Sequence, residues 1–135
     1  MRVVLDSNVL VAGLITPAGT CGRIIDLFTE EVIQPCVDAR ILREYERVLP
    51  RPRLRIDRSD VDEMLELMDL RAEFLAPPPL SVEMPDPTDR PFLEVAAHAD
   101  AVLVTGNVRH YPKRVRAGVT VLTPREFLDS LRSPG

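Results

Sequence analysis

Short apolar segments recur along the chain, and polar or turn-forming residues close them. Residues 3–5 are followed directly by Asp6, residues 101–105 are followed by a glycine and Asn107, and residues 119–122 form the last such segment. Apolar, β-branched runs bounded by turn formers are typical of strands buried on both faces of a sheet. The chain is therefore predicted to contain a central, mostly parallel sheet.

Segments with helical periodicity separate these strands. Apolar residues at helical spacing predict a first crossover helix after the break at residues 17–20, and the same spacing recurs four more times. The expected starts of these later helices are Asp38, Ser59, Thr88 or Asp89, and Thr123 with Pro124 at the first helical position. Residues 32–37 and 74–75 are further strand candidates. The alternation of strands and helices predicts an α/β fold.

The chain has 135 residues, of which 45% are apolar, enough to bury a core without metals or disulfides. A proline-rich loop over residues 77–87 could be mistaken for a linker, but the segment after it is too short for a second core. One domain over residues 1–135 is expected. Because no apolar run approaches the ~18 residues that span a bilayer and no signal peptide is evident, the expectation is a soluble cytoplasmic protein without a membrane partner.

Charge and cysteine content exclude several kinds of site. The formal net charge is −4, which argues against a protein that holds nucleic acid by overall basic charge. The chain has four Phe, two Tyr and no Trp, so base-stacking platforms are not expected. Cys21 and Cys36 lack a second pair and a nearby His cluster, which excludes a zinc site and a disulfide scaffold.

Polar residues at the carboxyl ends of the predicted strands are the first candidates for function. In parallel α/β sheets, ligands bind outside these strand ends. Asp6 follows the first strand and Asn107 follows the strand at residues 101–105. An acid directly after a buried strand needs a partner or a metal, although Asp6 could also be a turn residue.

Helical spacing selects Glu44 as a second candidate. Glu44 shares a helix face with Ile41 and Val48, whereas Glu46 points about 200° away around the same helix. Glu46 is therefore the solvated acid. An inward acid needs an ion pair or a metal, and a salt bridge to an arginine is the alternative to a metal.

Asp86 and Asp89 form the third element of the candidate site. Asp89 lies three residues before Phe92 and so faces the sheet together with it. Helix capping is the alternative role for both acids. Several carboxylates in one cleft repel one another, and Mg²⁺ or Mn²⁺ resolves that repulsion. Such ions polarise phosphodiesters and activate water, which predicts a metal-dependent hydrolase.

In their order and spacing, residues 3–10, Glu44, residues 86–96 and residues 103–107 resemble the PIN-domain family, in the branch of VapC-like toxin components of toxin–antitoxin systems. The resemblance covers nearly the whole chain. It implies a Rossmann-like three-layer α/β/α sandwich, Mg²⁺- or Mn²⁺-dependent endoribonuclease activity on RNA, a homodimer, and neutralisation by a cognate antitoxin protein.

The resemblance also implies roles for individual residues. Expected catalytic acids are Asp6, Glu44 and Asp89. Expected metal ligands are the same three acids with Asp86 and Asn107. Expected substrate contacts are Ser7, Asn8, Thr105, Arg109 and His110.

The sequence departs from the family pattern at Asn107, where many PIN domains carry a further acid. Asparagine keeps an oxygen ligand but removes one negative charge, so a second metal would bind more weakly or only with substrate phosphate. His110 could contact phosphate or assist the leaving group, or it could be a turn histidine without a catalytic task.

The sequence contains two basic segments, each of which could have more than one function. Four arginines within residues 51–58 could form a solvated face, an antitoxin or dimer contact, or an RNA contact. A second group follows the same strand end as Asn107, which favours contacts with phosphate. It consists of Arg109, Lys113, Arg114 and Arg116.

Four other functions compete with the ribonuclease. A haloacid-dehalogenase-type phosphatase needs a second acid where Asn8 stands, and a receiver domain needs a lysine at a strand end, whereas Lys113 is the only lysine and does not lie at one. A degenerate PIN domain that acts only as a binding module, and a nuclease for DNA or for structured nucleic acid, remain open.

Overall fold

Five short strands form one sheet in which neighbouring strands are parallel. The structure is a computed structural model that describes residues 1–132; residues 133–135, which the expected single domain over 1–135 includes, lie outside this range. The strands are β1 (Arg2–Leu5), β2 (Gln34–Val37), β3 (Glu73–Phe74), β4 (Val102–Val104) and β5 (Val121–Leu122), arranged in the order β3-β2-β1-β4-β5. The predicted parallel sheet is confirmed.

Six α-helices within residues 1–132 flank this sheet. Helix α2 contacts α1 and α6, α3 contacts α4 and α5, and α5 lies against β1, β2 and β4. This is the Rossmann-like sandwich that the resemblance implied. The helices are α1 (Ser7–Ile15), α2 (Thr20–Thr29), α3 (Ala39–Val48), α4 (Arg58–Arg71), α5 (Arg90–Ala99) and α6 (Pro124–Arg132); single 3₁₀ turns lie at Pro52–Leu54, Pro87–Asp89, Val108–His110 and Lys113–Val115.

The sequence prediction missed one helix, α1. The crossover helix expected after residues 17–20 is α2, and α1 precedes it directly after Asp6. Because α1 is apolar around most of its circumference, it shows no amphipathic period. At Gly13 an added Cβ would lie 2.9 Å from the Cys21 carbonyl oxygen, so glycine lets α1 and α2 approach closely. No single described helix is long and apolar enough to cross a membrane, although α1 and α2, bent by 100°, meet that criterion as a pair.

Local hydrogen bonds explain where the helices begin. Asp38 accepts a hydrogen bond from the Ile41 N–H at 2.9 Å, as predicted for the start of α3. Thr123 and Glu126 cap α6 reciprocally, each accepting a bond from the other's backbone N–H. The expected cap at Ser59 is wrong, because the backbone becomes helical after Asp57 and its carbonyl already accepts from Val61.

The strand order reverses between β1 and β4. The chain moves from β1 outward through β2 to β3, and then returns to the other side of β1 with β4 and β5. A crevice forms outside the carboxyl ends of the strands at such a switch point. Asp6 and Thr105 leave the two strands there, and the Asp6 N–H donates to the Val104 carbonyl at 3.0 Å.

A buried acid on α5 anchors the proline-rich segment between β3 and α5. Glu94 is 2% exposed, accepts the Leu80 N–H at 2.7 Å, and pairs with Arg40 at 2.8 Å. Arg40 also pairs with Asp38 at 2.7 Å. From the first turn of α5, Arg90 donates to the carbonyls of Leu80 and Val82. These bonds fix the segment that leads into Asp86.

Replacing Arg40 by methionine tests this anchor. Arg40→Met removes the cation of the buried Asp38 and leaves the buried Glu94 only the more distant Arg90, so we expect a loss of about 2 kcal/mol in the free energy of unfolding. The matched control is Arg23→Met, because the Arg23–Glu30 pair spans 3.8 Å and both side chains are more than half exposed. We expect a change below about 0.5 kcal/mol for the control. Urea unfolding measures both, and equal losses would contradict the assignment.

Candidate active site

The carboxylate of Asp6 is buried at the switch point between β1 and β4. The residue is 5% exposed. Its Oδ2 atom accepts hydrogen bonds from the Thr105 hydroxyl at 2.9 Å and from the Tyr111 hydroxyl at 3.1 Å. The position matches the sequence prediction, because the apolar β1 delivers Asp6 to the carboxyl edge of the sheet.

A second group of acids lies where the proline-rich segment enters α5. Asp86, Asp89 and His110 each offer one ligand atom, and these atoms lie within 4.8 Å of one another. Asp89 Oδ2 lies 2.9 Å from His110 Nδ1. Asp86 also accepts two hydrogen bonds from Thr88, through its N–H and its hydroxyl. Asp86 thus caps the 3₁₀ turn at Pro87–Asp89, while Asp89 is buried behind it.

Glu44 lies half-buried on α3, and its contacts include the arginine pair that was the alternative to a metal. Its Oε2 accepts a hydrogen bond from the Ser7 hydroxyl, and its Oε1 lies 3.6 Å from Arg47. Glu46 is exposed, as predicted. Ser7 follows Asp6 directly, so this bond links α3 to the end of β1.

Burial disfavours the ionised form of two acids at this edge, Asp6 and Asp89. Burial raises the pKa of Asp6 above its usual range, against the opposing effect of hydrogen bonds from Thr105 and Tyr111. Burial and the charge of Asp6 raise the pKa of Asp89 to about 6. Hydrogen bonds from Thr88 instead lower the pKa of the exposed Asp86. The charge of His110 opposes the rise at both Asp6 and Asp89.

The donor set fits a divalent metal ion. Carboxylate oxygens are the ligands that Mg²⁺ and Mn²⁺ prefer, and a bound cation would offset the burial of Asp6 and Asp89. Asp86 and His110 extend the set on one side. Asp6 and Glu44 lie outside the 4.8 Å group among the described residues, so the acids line one edge without forming a single closed cage.

The other predicted site residues hold the surrounding loop. The Asn8 side chain accepts the Gly106 N–H at 2.9 Å, and the Asn107 N–H donates to Thr105 Oγ1 at 3.0 Å. Asn107 and Arg109 are exposed. The metal-binding role of Asn107 and the substrate contacts of Ser7, Asn8, Thr105, Arg109 and His110 stay predictions.

Sequence reasoning missed Tyr111 and Glu94. Tyr111 lies in an irregular segment between β4 and β5, where no periodicity shows which side chains point inward. One usable signal existed, because the chain has only two tyrosines and a buried tyrosine hydroxyl needs a partner. Glu94 gave no comparable signal, since its partner Arg40 is distant in sequence.

The acids lie outside the largest surface cavity described. That cavity, of about 390 Å³, lies at the opposite edge of the sheet and is lined by residues such as Met1, Gln34 and Arg71. Asp6, Glu44 and Asp89 do not line it.

Comparison with known proteins identifies the family. The PIN domain family matches residues 2–109. The chain belongs to the PIN domain family. PIN domains are in general metal-dependent nucleases. In this chain, Asp6 lies at the switch point of the sheet.

Two similar proteins extend the comparison. Over 140 residues, which cover 96% of this chain and 90% of the relative, this PIN domain is 28% identical to the uncharacterized protein MJ1680 of Methanocaldococcus jannaschii. It also resembles the crystal structure of VapBC2 from Rickettsia felis bound to a DNA fragment from their promoter. The TM-score is 0.59 at 15% identity, covering 91% of this chain and 98% of that one. At this identity the likeness shows the shared fold.

The raised pKa of Asp89 predicts a pH-dependent stability. Because Asp89 titrates at about 6 in the folded chain against an ordinary 3.8, its proton stabilises the fold at low pH, and that stability is lost as the pH rises through 6. In EDTA, we compare the free energy of unfolding of Asp89→Asn with that of the wild-type chain. The difference in favour of the variant is expected to be about 1 kcal/mol larger at pH 7 than at pH 4. Denaturant titration at both pH values measures the difference.

Asp86→Asn is the control, because its free energy of unfolding at pH 7 should change in the opposite direction. The pKa of Asp86 is lowered, so its ionised form stabilises the fold above the titration and its loss should destabilise the protein at pH 7. A gain at pH 7 in both variants, or in neither, would contradict the electrostatic description.

Proposed function

We propose that this PIN domain is a Mg²⁺- or Mn²⁺-dependent endoribonuclease and the toxin component of a toxin–antitoxin system. The observation that carries the proposal is that two buried acids, Asp6 and Asp89, lie at the carboxyl edge of the sheet, with Asp86 and His110 grouped around Asp89. The charge of Asp6 contributes to the raised pKa of Asp89, so a cation between these acids would relieve the repulsion.

Each acid at this edge has a proposed role. Asp6, Glu44 and Asp89 are the proposed catalytic metal ligands, with Asp86 and Asn107 as further ligands. When bound, the divalent ion polarises the phosphodiester and lowers the pKa of water so that it can attack phosphorus. Ser7 holds Glu44 through a hydrogen bond to Oε2, which would leave Oε1 as the atom that could bind a metal ion.

Exposed basic side chains beside the acids would hold the RNA backbone. Arg109, Lys113 and Arg114 are exposed and follow β4 at the same edge as Asp6. Forked guanidinium donors suit phosphate oxygens. Because the whole chain carries a net charge of −4, it should bind nucleic acid weakly outside this edge and cleave selectively.

The toxin role rests on the resemblance in the sequence and on the shared fold with VapBC2. An antitoxin protein and a second copy of the chain are the proposed partners, and the cytoplasm is the proposed location. Exposed apolar side chains offer surface for such contacts; they include Ile15, Val32, Leu70, Phe74 and Leu131.

Cleavage of RNA by paired glutamate variants tests the enzymatic proposal. Glu44→Gln removes the charge of a proposed ligand, whereas Glu46→Gln removes the charge of an exposed acid two residues away on the same helix. We expect cleavage of labelled RNA in Mn²⁺ to fall at least about 100-fold for Glu44→Gln and to stay within about twofold for Glu46→Gln, since metal-ligand loss removes several kcal/mol of transition-state stabilisation.

The same assay includes EDTA and DNA of the same sequence. EDTA is expected to abolish cleavage. If the wild-type protein prefers DNA, the proposed substrate changes from RNA to DNA. If it cleaves neither polymer in a metal-dependent way, the chain is a degenerate binding module.

Growth of the expressing cells tests the toxin role. Induction of the wild-type chain should arrest growth, Asp6→Asn should not, and co-expression of a small protein encoded next to the gene should restore growth. Equal growth arrest by wild type and Asp6→Asn at equal protein levels would show that toxicity does not come from the proposed site.

A further inference from the structure

We propose that Tyr111 is a positioning residue for Asp6, holding one carboxylate oxygen so that the other faces the metal. This inference rests on the proposed function. Tyr111 lies outside every motif that links the chain to its family, and it acts through Asp6 rather than on substrate.

Both side-chain hydrogen bonds to Asp6 end on the same atom. Thr105 and Tyr111 each donate a hydroxyl hydrogen to Oδ2, at 2.9 and 3.1 Å. Among the side-chain hydrogen bonds of residues 1–132, none ends on Oδ1, and the Ser7 N–H also interacts with this carboxylate. Two donors on Oδ2 fix the carboxylate plane and leave Oδ1 as the oxygen that a cation can approach.

The Tyr111 ring is itself held rigidly. Tyr111 is fully buried, its N–H donates to the Val108 carbonyl at 3.0 Å, and its own carbonyl accepts from Arg116 Nε at 2.7 Å. An ordinary tyrosine hydroxyl has a pKa of about 10, so it keeps its proton and remains a donor at neutral pH. A fixed donor of this kind orients a metal ligand.

One short segment also links Tyr111 to the second acid. His110, the preceding residue, lies 2.9 Å from Asp89 through Nδ1. Consecutive side chains at the end of the 3₁₀ turn at Val108–His110 thus contact Asp6 and Asp89. This short segment therefore contacts both acids through neighbouring side chains.

The chain provides a matched control for removing the hydroxyl. Tyr45 is also fully buried, and its hydroxyl donates to the Leu5 carbonyl rather than to a carboxylate. Tyr111→Phe and Tyr45→Phe each remove one buried tyrosine hydroxyl and keep the ring. Similar losses of thermal stability are expected, so a difference in metal binding reports on Asp6 alone.

Titration of the full-length chain with Mn²⁺, followed by electron paramagnetic resonance, tests the proposal. Tyr111→Phe is expected to weaken Mn²⁺ binding about 10-fold, within the range seen for groups that orient metal ligands, whereas Tyr45→Phe stays within twofold of wild type. Thr105→Val should also weaken binding and Thr105→Ser, which keeps the hydroxyl, should restore it.

The outcomes separate this inference from the proposed function. If Asp6→Asn abolishes Mn²⁺ binding but Tyr111→Phe binds as tightly as Tyr45→Phe, the positioning role is wrong and the nuclease proposal stands. If wild type does not bind Mn²⁺, or if Asp6→Asn binds as wild type does, both fall. Loss of Mn²⁺ affinity in Tyr111→Phe without any cleavage of RNA by wild type supports the positioning role and overturns the enzymatic one.

Discussion

The buried carboxylate of Asp6 is the constraint around which the edge of the sheet is organised. A carboxylate this far from solvent needs hydrogen bonds or a cation, and Thr105 and Tyr111 supply hydrogen bonds to one of its oxygens. These two residues belong to the segment that follows β4, so pairing of β1 with β4 brings them to Asp6. The fold thus places the acid and its donors from opposite ends of the chain.

The second acid depends on a different set of contacts. Asp89 follows a segment rich in proline, which has few backbone donors of its own, and Glu94 and Arg90 hold that segment to α5. Arg40 completes the anchor from α3. The site therefore joins one acid fixed by the sheet to another that follows a segment fixed by a side-chain network.

The parts of this arrangement that follow regular elements could be predicted from the sequence. Asp6 directly follows a buried strand, Glu44 lies on the inward face of a periodic helix, and Asp89 lies three residues before Phe92. Periodicity locates such residues. It failed for α1, whose apolar surface has no polar side, and it gave no information on the irregular segment that contains His110 and Tyr111.

The pair of Arg40 and Glu94, which anchors the proline-rich segment, could not be predicted from the sequence either. The two residues are separated by 54 positions. Without a known partner, an acid within an apolar helix is predicted to be a surface residue. Long-range pairs of this kind depend on the packing of α3 against α5, which sequence periodicity does not specify.

A crystal structure of the wild-type chain with Mn²⁺, phased with the anomalous signal of the metal, tests the central claim most directly. The account predicts an anomalous peak bound by Asp6 Oδ1 and Asp89, with the hydrogen bonds of Thr105 and Tyr111 to Oδ2 retained. A peak on Asp86 and His110 that leaves Asp6 without metal, or no peak at this edge at millimolar Mn²⁺, would contradict it.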